Sequence, residues 1–247
     1  MSQVVKALGT FGFDHVALGV SDTEAGAAWL HARTGAAVFA TEPEEGQWYW
    51  SAVMPLPDGA SLEVIGPNPA HRGFHPIKEH LLSLETPSLL FWHLGTDHFD
   101  SFCNVAAQVG APVERIEHLD TESPYGRRVY TRGIVGPGFR STRPCVICWK
   151  TRPRPPGAEG PAQCAVTGFA LTSPKYSALN RLLDALDLPM RAKEGPEAIA
   201  LQLTTPKGAV TLSSPGIVFE GAGALAKTAS LWLRYLGRTI LRKRHPG

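Results

Sequence analysis

Phe13-Asp14-His15-Val16-Ala17-Leu18-Gly19-Val20, followed by Ser21-Asp22 and a helix-like stretch closing at Gly35, decides the fold, because the chain repeats it. Leu89 to Gly95, then Thr96-Asp97, leads into a similar stretch closing at Gly110. Asp22 to Gly35 and Asp97 to Gly110 are both 13 steps, so the two helical stretches align without a gap. A third version opens with Val166 to Thr172 and Ser173-Pro174, and Ala178, Leu179, Leu182, Leu183 and Leu186 carry its helical period. Its Pro206-Lys207-Gly208-Ala209 answers Pro57-Asp58-Gly59-Ala60 of the first. A repeat on this scale dictates architecture before any single element does. The repeating unit is a strand, a helix and several strands, and the fold class expected is α+β.

Working outward, unit one covers about residues 11–66: a strand through His15, a helix capped by Asp22, and strands near Ala36–Ala40, Trp48–Met54 and Ser61–Ile65. The Pro-Asp-Gly turn joins the last two. A connector, Pro67 to Glu85, holds a short helix after Pro76. Unit two covers about residues 88–150, with strands near Val113–Glu117, Arg128–Val135 and Cys145–Trp149. Residues 151–163 are proline-rich and read as a linker. A third, degenerate unit spans 164–216, and 217–247 form a basic tail expected to be helical.

The 247 residues, 43% hydrophobic and 19% charged, describe a globular chain with a sizeable core. No apolar run approaches the roughly 20 residues that span a bilayer. Met1 to Gly12 has one lysine and no long apolar stretch, so no signal peptide is expected there. The four cysteines form no disulfide-like framework, which favours a cytoplasmic setting. After Glu220 no acidic residue follows, while Lys227, Arg234, Arg238, Arg242, Lys243 and Arg244 concentrate positive charge. The rest of the chain is therefore acidic on balance, and no nucleic-acid surface is expected. The tail, with Leu233, Leu236 and Ile240 at helical spacing, is expected to dock on the protein or a second copy in preference to a membrane. A homo-oligomer is the expected state.

Phe13-Asp14-His15-Val16, Leu62-Glu63-Val64-Ile65-Gly66 and the paired units resemble the vicinal oxygen chelate superfamily, and within it the glyoxalase-like domain branch. Pro144-Cys145-Val146-Ile147-Cys148-Trp149 stands where that branch has an apolar strand ending in tryptophan. The resemblance covers roughly residues 11–216. It implies two units paired into a cupped, barrel-like sheet with a third unit appended, and metal ligands on the first and last strands of each unit. It also implies a small-molecule substrate and an isomerase, lyase or dioxygenase activity.

Alternate side chains of a strand share a face, which places His15 with Phe13 and Ala17, and Glu63 with Ser61 and Ile65. His15 and Glu63 are thus the expected metal ligands, for Zn, Mn, Fe or Ni, with Glu63 also a candidate base. A buried histidine bonded to a glutamate without metal is the plainer alternative. In unit two the gapless helix alignment sets Leu90 opposite His15 and turns His93 away. Aligning Asp100 with Asp22 instead would put His93 there at the cost of a helix three residues shorter, so Leu90 is preferred, and the fourth ligand position falls on Cys148. Cys145 and Cys148 sit three apart on a strand, on opposite faces, and are no zinc pair. Trp48, Tyr49 and Trp50 offer an aromatic wall, and Arg128 a fork for a carboxylate or phosphate. His71, His75 and His80 lie where the connector would close over the cup. A non-catalytic protein that binds or sequesters a small molecule in the same cup is the rival to an enzyme.

Overall fold

The computed structural model describes residues 11–43, 46–123, 125–136, 139–153, 157–158 and 160–219. Strand β1 (Gly12–Gly19) runs into helix α1 (Thr23–Thr34). The Asp22 carboxylate caps that helix by accepting the Ala25 N–H at 2.9 Å. Gly35, at φ 73°, ends it in the left-handed conformation that glycine takes without strain. Strands β2 (Phe39–Ala40), β3 (Tyr49–Pro55) and β4 (Ser61–Pro67) complete unit one. The connector carries α2 (Pro76–Leu82). Unit two follows as β5 (Ser88–Gly95), α3 (Phe99–Gln108), β6 (Val113–Ser123), β7 (Gly126–Val135), a two-residue β8 (Phe139–Arg140) and β9 (Cys145–Thr151). The third unit is β10 (Ala165–Ser173), α4 (Tyr176–Ala185), β11 (Ala192–Glu194), β12 (Ala198–Thr205) and β13 (Gly208–Pro215), after which β14 (Val218–Phe219) pairs with β8.

Units one and two merge into one eight-stranded sheet, ordered β2-β3-β4-β1-β5-β9-β7-β6. From the centre outward, both halves run first strand, last strand, then the two hairpin strands. The halves join through the antiparallel pair β1·β5, and each first strand lies parallel to its own unit's last strand. The sheet is open, with β2 and β6 at its edges, so the barrel-like closure is a cup. The third unit has the element string of unit one, and of unit two without its short β8, but the order β11-β10-β12-β13, in which its first strand sits between its second and third. It shares the element order of the other two, not their topology.

The helix starts do not correspond as the 13-step spacing suggests. His98, not Asp97, occupies the N-cap of α3, and α3 has 10 residues against 12 in α1. Thr96 accepts the His98 N–H at 2.9 Å and holds the chain back from helix until there.

Two bulges in β1·β5 redirect side chains. Phe13 pairs with Leu94 and His15 with His93, which leaves Asp14 as an extra residue. Ala17 pairs with Phe91 and Leu18 with Leu89, which leaves Leu90 as a second one. A bulge resets the alternation of faces. Phe13 therefore joins the main core behind the sheet, whereas His15 and Ala17 turn to the cup, and the expected grouping of Phe13 with His15 fails. Leu90 also lies on the cup side, fully buried with Ala17, Ile65 and Leu81 under α2.

Behind the sheet lies one continuous core. Phe169 of β10 meets Phe13 and Trp92 edge-on, at ring centroid distances of 5.8 and 5.1 Å, and Ser214 donates to the Leu89 carbonyl at 2.9 Å. The third unit is thus packed against the central strands. Of the basic tail, 218–219 form β14; the expected helix and its docking fall on 220–247, outside the described residues. Among the described residues no helix is long and apolar enough to cross a membrane.

Gly66 shows how tightly unit one closes. A Cβ there would lie 2.4 Å from Thr23 Oγ1 and 2.9 Å from the Thr23 backbone nitrogen, whereas one at Gly12 meets nothing within 4 Å. Gly66→Ala should lower stability in urea by about 1–3 kcal/mol, and Gly12→Ala should leave the unfolding midpoint nearly unchanged.

Candidate functional site

A cavity of about 140 Å3 opens on the cup face between the two halves. His15 from β1 and His93 from β5, paired across the strands, form the centre of its floor; their rings stack at 4.1 Å with 20° between planes. This corrects the expectation that Leu90 holds the cup position of unit two. Counting three residues on from Leu90 predicts the opposite face for His93, but the bulge at Leu90 cancels one step of the alternation.

The surroundings of His15 are specific. Its Nδ1 lies 2.5 Å from Asp14 Oδ1, and its Nε2 lies 3.7 Å from Glu63 Oε2. Arg152 Nη1 donates to the other Asp14 oxygen at 2.7 Å, and its guanidinium stands over the Trp149 ring at 5.1 Å. Burial alone would raise the Asp14 pKa. The hydrogen bond and charge of His15, with the charge of Arg152, outweigh it and hold the group below the usual carboxylate range. An ionised Asp14 only accepts, so His15 donates to it through Nδ1 and turns Nε2 toward Glu63. His93 is different: burial, then the charges of His15, Arg132 and Arg152, press its pKa well below the ordinary imidazole value, so it is neutral.

The walls follow from the strands around the floor. From β3 come Tyr49, Ser51 and Val53, from β7 come Arg128, Tyr130 and Arg132, and from β9 come Ile147 and Trp149. Tyr49 is kept as a phenol, its pKa raised by burial and then by the nearby Glu63. Arg132 is paired with Glu117. Trp48 also borders the cavity and lies flat on His75 of the connector, at 4.0 Å and 7°. Trp50 stands at the rim with its indole N–H donated to the Thr41 carbonyl at 2.7 Å. His71 and His80 do not line the cavity.

The two halves make the metal question concrete. Ser61 pairs with His15 and the ligand position Glu63 follows two residues on; Cys145 pairs with His93, and two residues on stands Ile147. The position expected for Cys148 therefore belongs to Ile147. Cys148 points from the other face of β9, outside the cavity, because neighbouring strand residues alternate. Cys145 faces the cup side but is buried, and burial pushes its thiol up to about 12. An ion bound by imidazole lies in the ring plane about 2.0–2.1 Å from nitrogen. The nearly parallel planes of His15 and His93 share no such point, and the fourth corner is hydrocarbon. Among the described residues no three His, Cys, Asp or Glu side chains gather where they could hold an ion. The donor set as it stands does not fit a divalent ion.

Of the residues expected from the sequence, His15, Glu63, Trp48, Tyr49, Trp50 and Arg128 border the cavity and Cys148 does not. His93 stood only as the alternative that needs a shorter second helix, and Asp14 and Arg152 were not singled out. Asp14 precedes His15 directly, a signal available in the sequence. Arg152 opens the linker, where composition spoke only of flexibility.

The paired strand-helix-strands halves have the fold of the vicinal oxygen chelate proteins. The chain belongs to the glyoxalase-like domain family, whose profile matches residues 13–186. No curated protein sequence matches it. Among solved structures it is similar to a hypothetical protein from Staphylococcus aureus, at 9% identity over 83% of this chain and 86% of the other, with a TM-score of 0.52. It is also similar to a triple mutant of 4-hydroxymandelate synthase from Streptomyces coelicolor, at 16% identity over 83% of this chain and 63% of that one, again with a TM-score of 0.52. Methylmalonyl-CoA epimerase from Mycobacterium tuberculosis aligns with 64% of this chain and 99% of its own, at 16% identity and a TM-score of 0.41. At these identities the likeness is one of fold.

Asp14 links the site to stability. With its folded pKa depressed, its ionised form contributes stability above its unfolded pKa, and the contribution is lost as pH falls through the folded value. Between about pH 5 and pH 2 the wild type should lose stability more steeply than Asp14→Asn, while at pH 7 the variant should be the less stable of the two. Urea melts across that range check both.

Proposed function

We propose that the protein is a small-molecule enzyme that moves a proton on carbon next to a carbonyl, an isomerase or lyase reaction performed by its own side chains. The observation that carries this reading is the placement of His15 between two carboxylates at the cavity floor, with Asp14 on Nδ1 and Glu63 beside Nε2. Glu63 takes the proton from the substrate carbon. Nε2 of His15 receives it from Glu63, Asp14 stabilises the imidazolium that results, and the same path returns the proton to the product carbon or to the departing group. Negative charge developing on the carbonyl oxygen faces a wall rich in donors: the guanidinium groups of Arg128 and Arg132 and the phenol of Tyr49. Ile147, Phe91 and Trp149 supply an apolar surface suited to a planar substrate.

Metal-assisted and dioxygenase chemistry would need a donor set that His15, His93 and Ile147 do not provide in this arrangement, and no step is assigned to an ion. Protein purified without chelator or metal-affinity contact should accordingly contain far less than one divalent ion per chain. A stoichiometric ion lost in His15→Gln would overturn that assignment.

The non-catalytic alternative rests on the aromatic walls, which suit binding alone. A panel of carboxylates, 2-oxo acids and thioesters incubated with the protein in D2O separates the two. The enzyme incorporates deuterium beside the carbonyl of at least one member, and His15→Gln and Glu63→Gln lose about 100- to 10,000-fold of that rate. Saturable binding of a panel member without exchange would establish the binding protein instead.

A further inference from the structure

The first residue beyond β9 reaches back to the floor of the cup. Arg152 bonds Asp14 at 2.7 Å, and its guanidinium also approaches the Gly59 carbonyl and the Ser61 hydroxyl, both at 3.4 Å. Its body rests over Trp149, and its side chain is 24% exposed against 7% for Asp14. Asp14 is itself an unusual recipient. As the extra residue of a bulge, it gives up a place in the β1·β5 ladder and turns its carboxylate to the same side as His15. Gly95, at the end of the neighbouring strand, leaves the room for it, since a Cβ there would come within 3.3 Å of Asp14 Oδ2. The two carboxylate oxygens divide their partners, Oδ2 receiving Arg152 and Oδ1 receiving His15.

Resting on the proton-transfer reading above, we infer that Arg152 is a positioning residue for His15. By fixing the Asp14 carboxylate, it sets the orientation and tautomer of the imidazole and leaves Nε2 bare toward Glu63. Unpinned, the Asp14 carboxylate is free to rotate about its side-chain bonds and release Nδ1. Imidazole would then exchange freely between its two neutral tautomers, and the relay from Glu63 would face an N–H instead of a lone pair. A guanidinium suits this role because it donates to Asp14 through one nitrogen while the other nitrogen and the flat face keep it on Ser61 and Trp149.

The test reads the tautomer directly and needs no substrate. Two-bond 1H–15N correlation spectra of the full chain, recorded at a pH where His15 is neutral, distinguish Nδ1–H from Nε2–H. Wild type should show His15 as Nδ1–H. Arg152→Gln should shift it to a mixture with a large Nε2–H share, as should Asp14→Asn, and Arg152→Lys should restore most of the wild-type pattern. Arg152→Met keeps the apolar stem over Trp149 and takes the place of Arg152→Gln if that variant does not fold. A folded Arg152→Gln or Arg152→Met that retains the wild-type Nδ1–H signal would overturn the inference and leave Arg152 a pin between the exit segment and β1. Because this signal is independent of turnover, it stands or falls separately from the deuterium-exchange result.

Discussion

The antiparallel contact of β1 with β5 is the constraint on which the rest depends. It joins two four-stranded halves that could not bury their inner strands alone. It also sets His15 against His93 and carries the two bulges that decide which side chains reach the cup. Without the bulge at Asp14, the carboxylate would fall on the core side of the sheet, where an ion has no partner. Without the one at Leu90, alternation counted from a buried Leu89 would turn Trp92 to the cup and His93 to the core. Register here is chemistry, because a slip of one residue exchanges floor for core.

The back of this contact is as important as the front. Phe169 wedges between Phe13 and Trp92, so the third unit covers the strands that carry both histidines. A buried Glu197 adds a polar tie, accepting from Ser173 at 2.9 Å and lying 3.6 Å from Arg140 of β8. Such a pair is costly to bury and worse to break, since loss of either partner strands a charge. The site therefore stands on a floor held from behind by a segment that contributes nothing to the cavity.

Much of this was legible beforehand. The strand-helix-strands order, the Asp22 cap, the α2 helix after Pro76 and the approach of His15 to Glu63 all follow from local patterns and one turn. The hidden part has a common cause. A bulge is a property of two strands together, so alternation counted along one strand gave Phe13 and His93 the wrong faces. Matched spacing of helices likewise concealed the later start of α3, which Thr96 imposes through a local hydrogen bond. The exchange of Cys148 for Ile147 needed the parallel register of β5 with β9, and the strand order of the third unit needed the whole sheet.

The open edge at β6 has a consequence for solubility. Eleven residues long, it leaves backbone N–H and C=O groups on one side without a neighbouring strand among the described residues. Such an edge invites a second chain to add on and grow. Here Glu114, Glu117, Asp120 and Glu122 crowd it with carboxylates, and hydrogen bonds across the hairpin answer Glu117 through Arg132 and Asp120 through Arg127. A charge-rich edge of this kind is a poor template for a second strand, even where Ile116 lies half-exposed upon it.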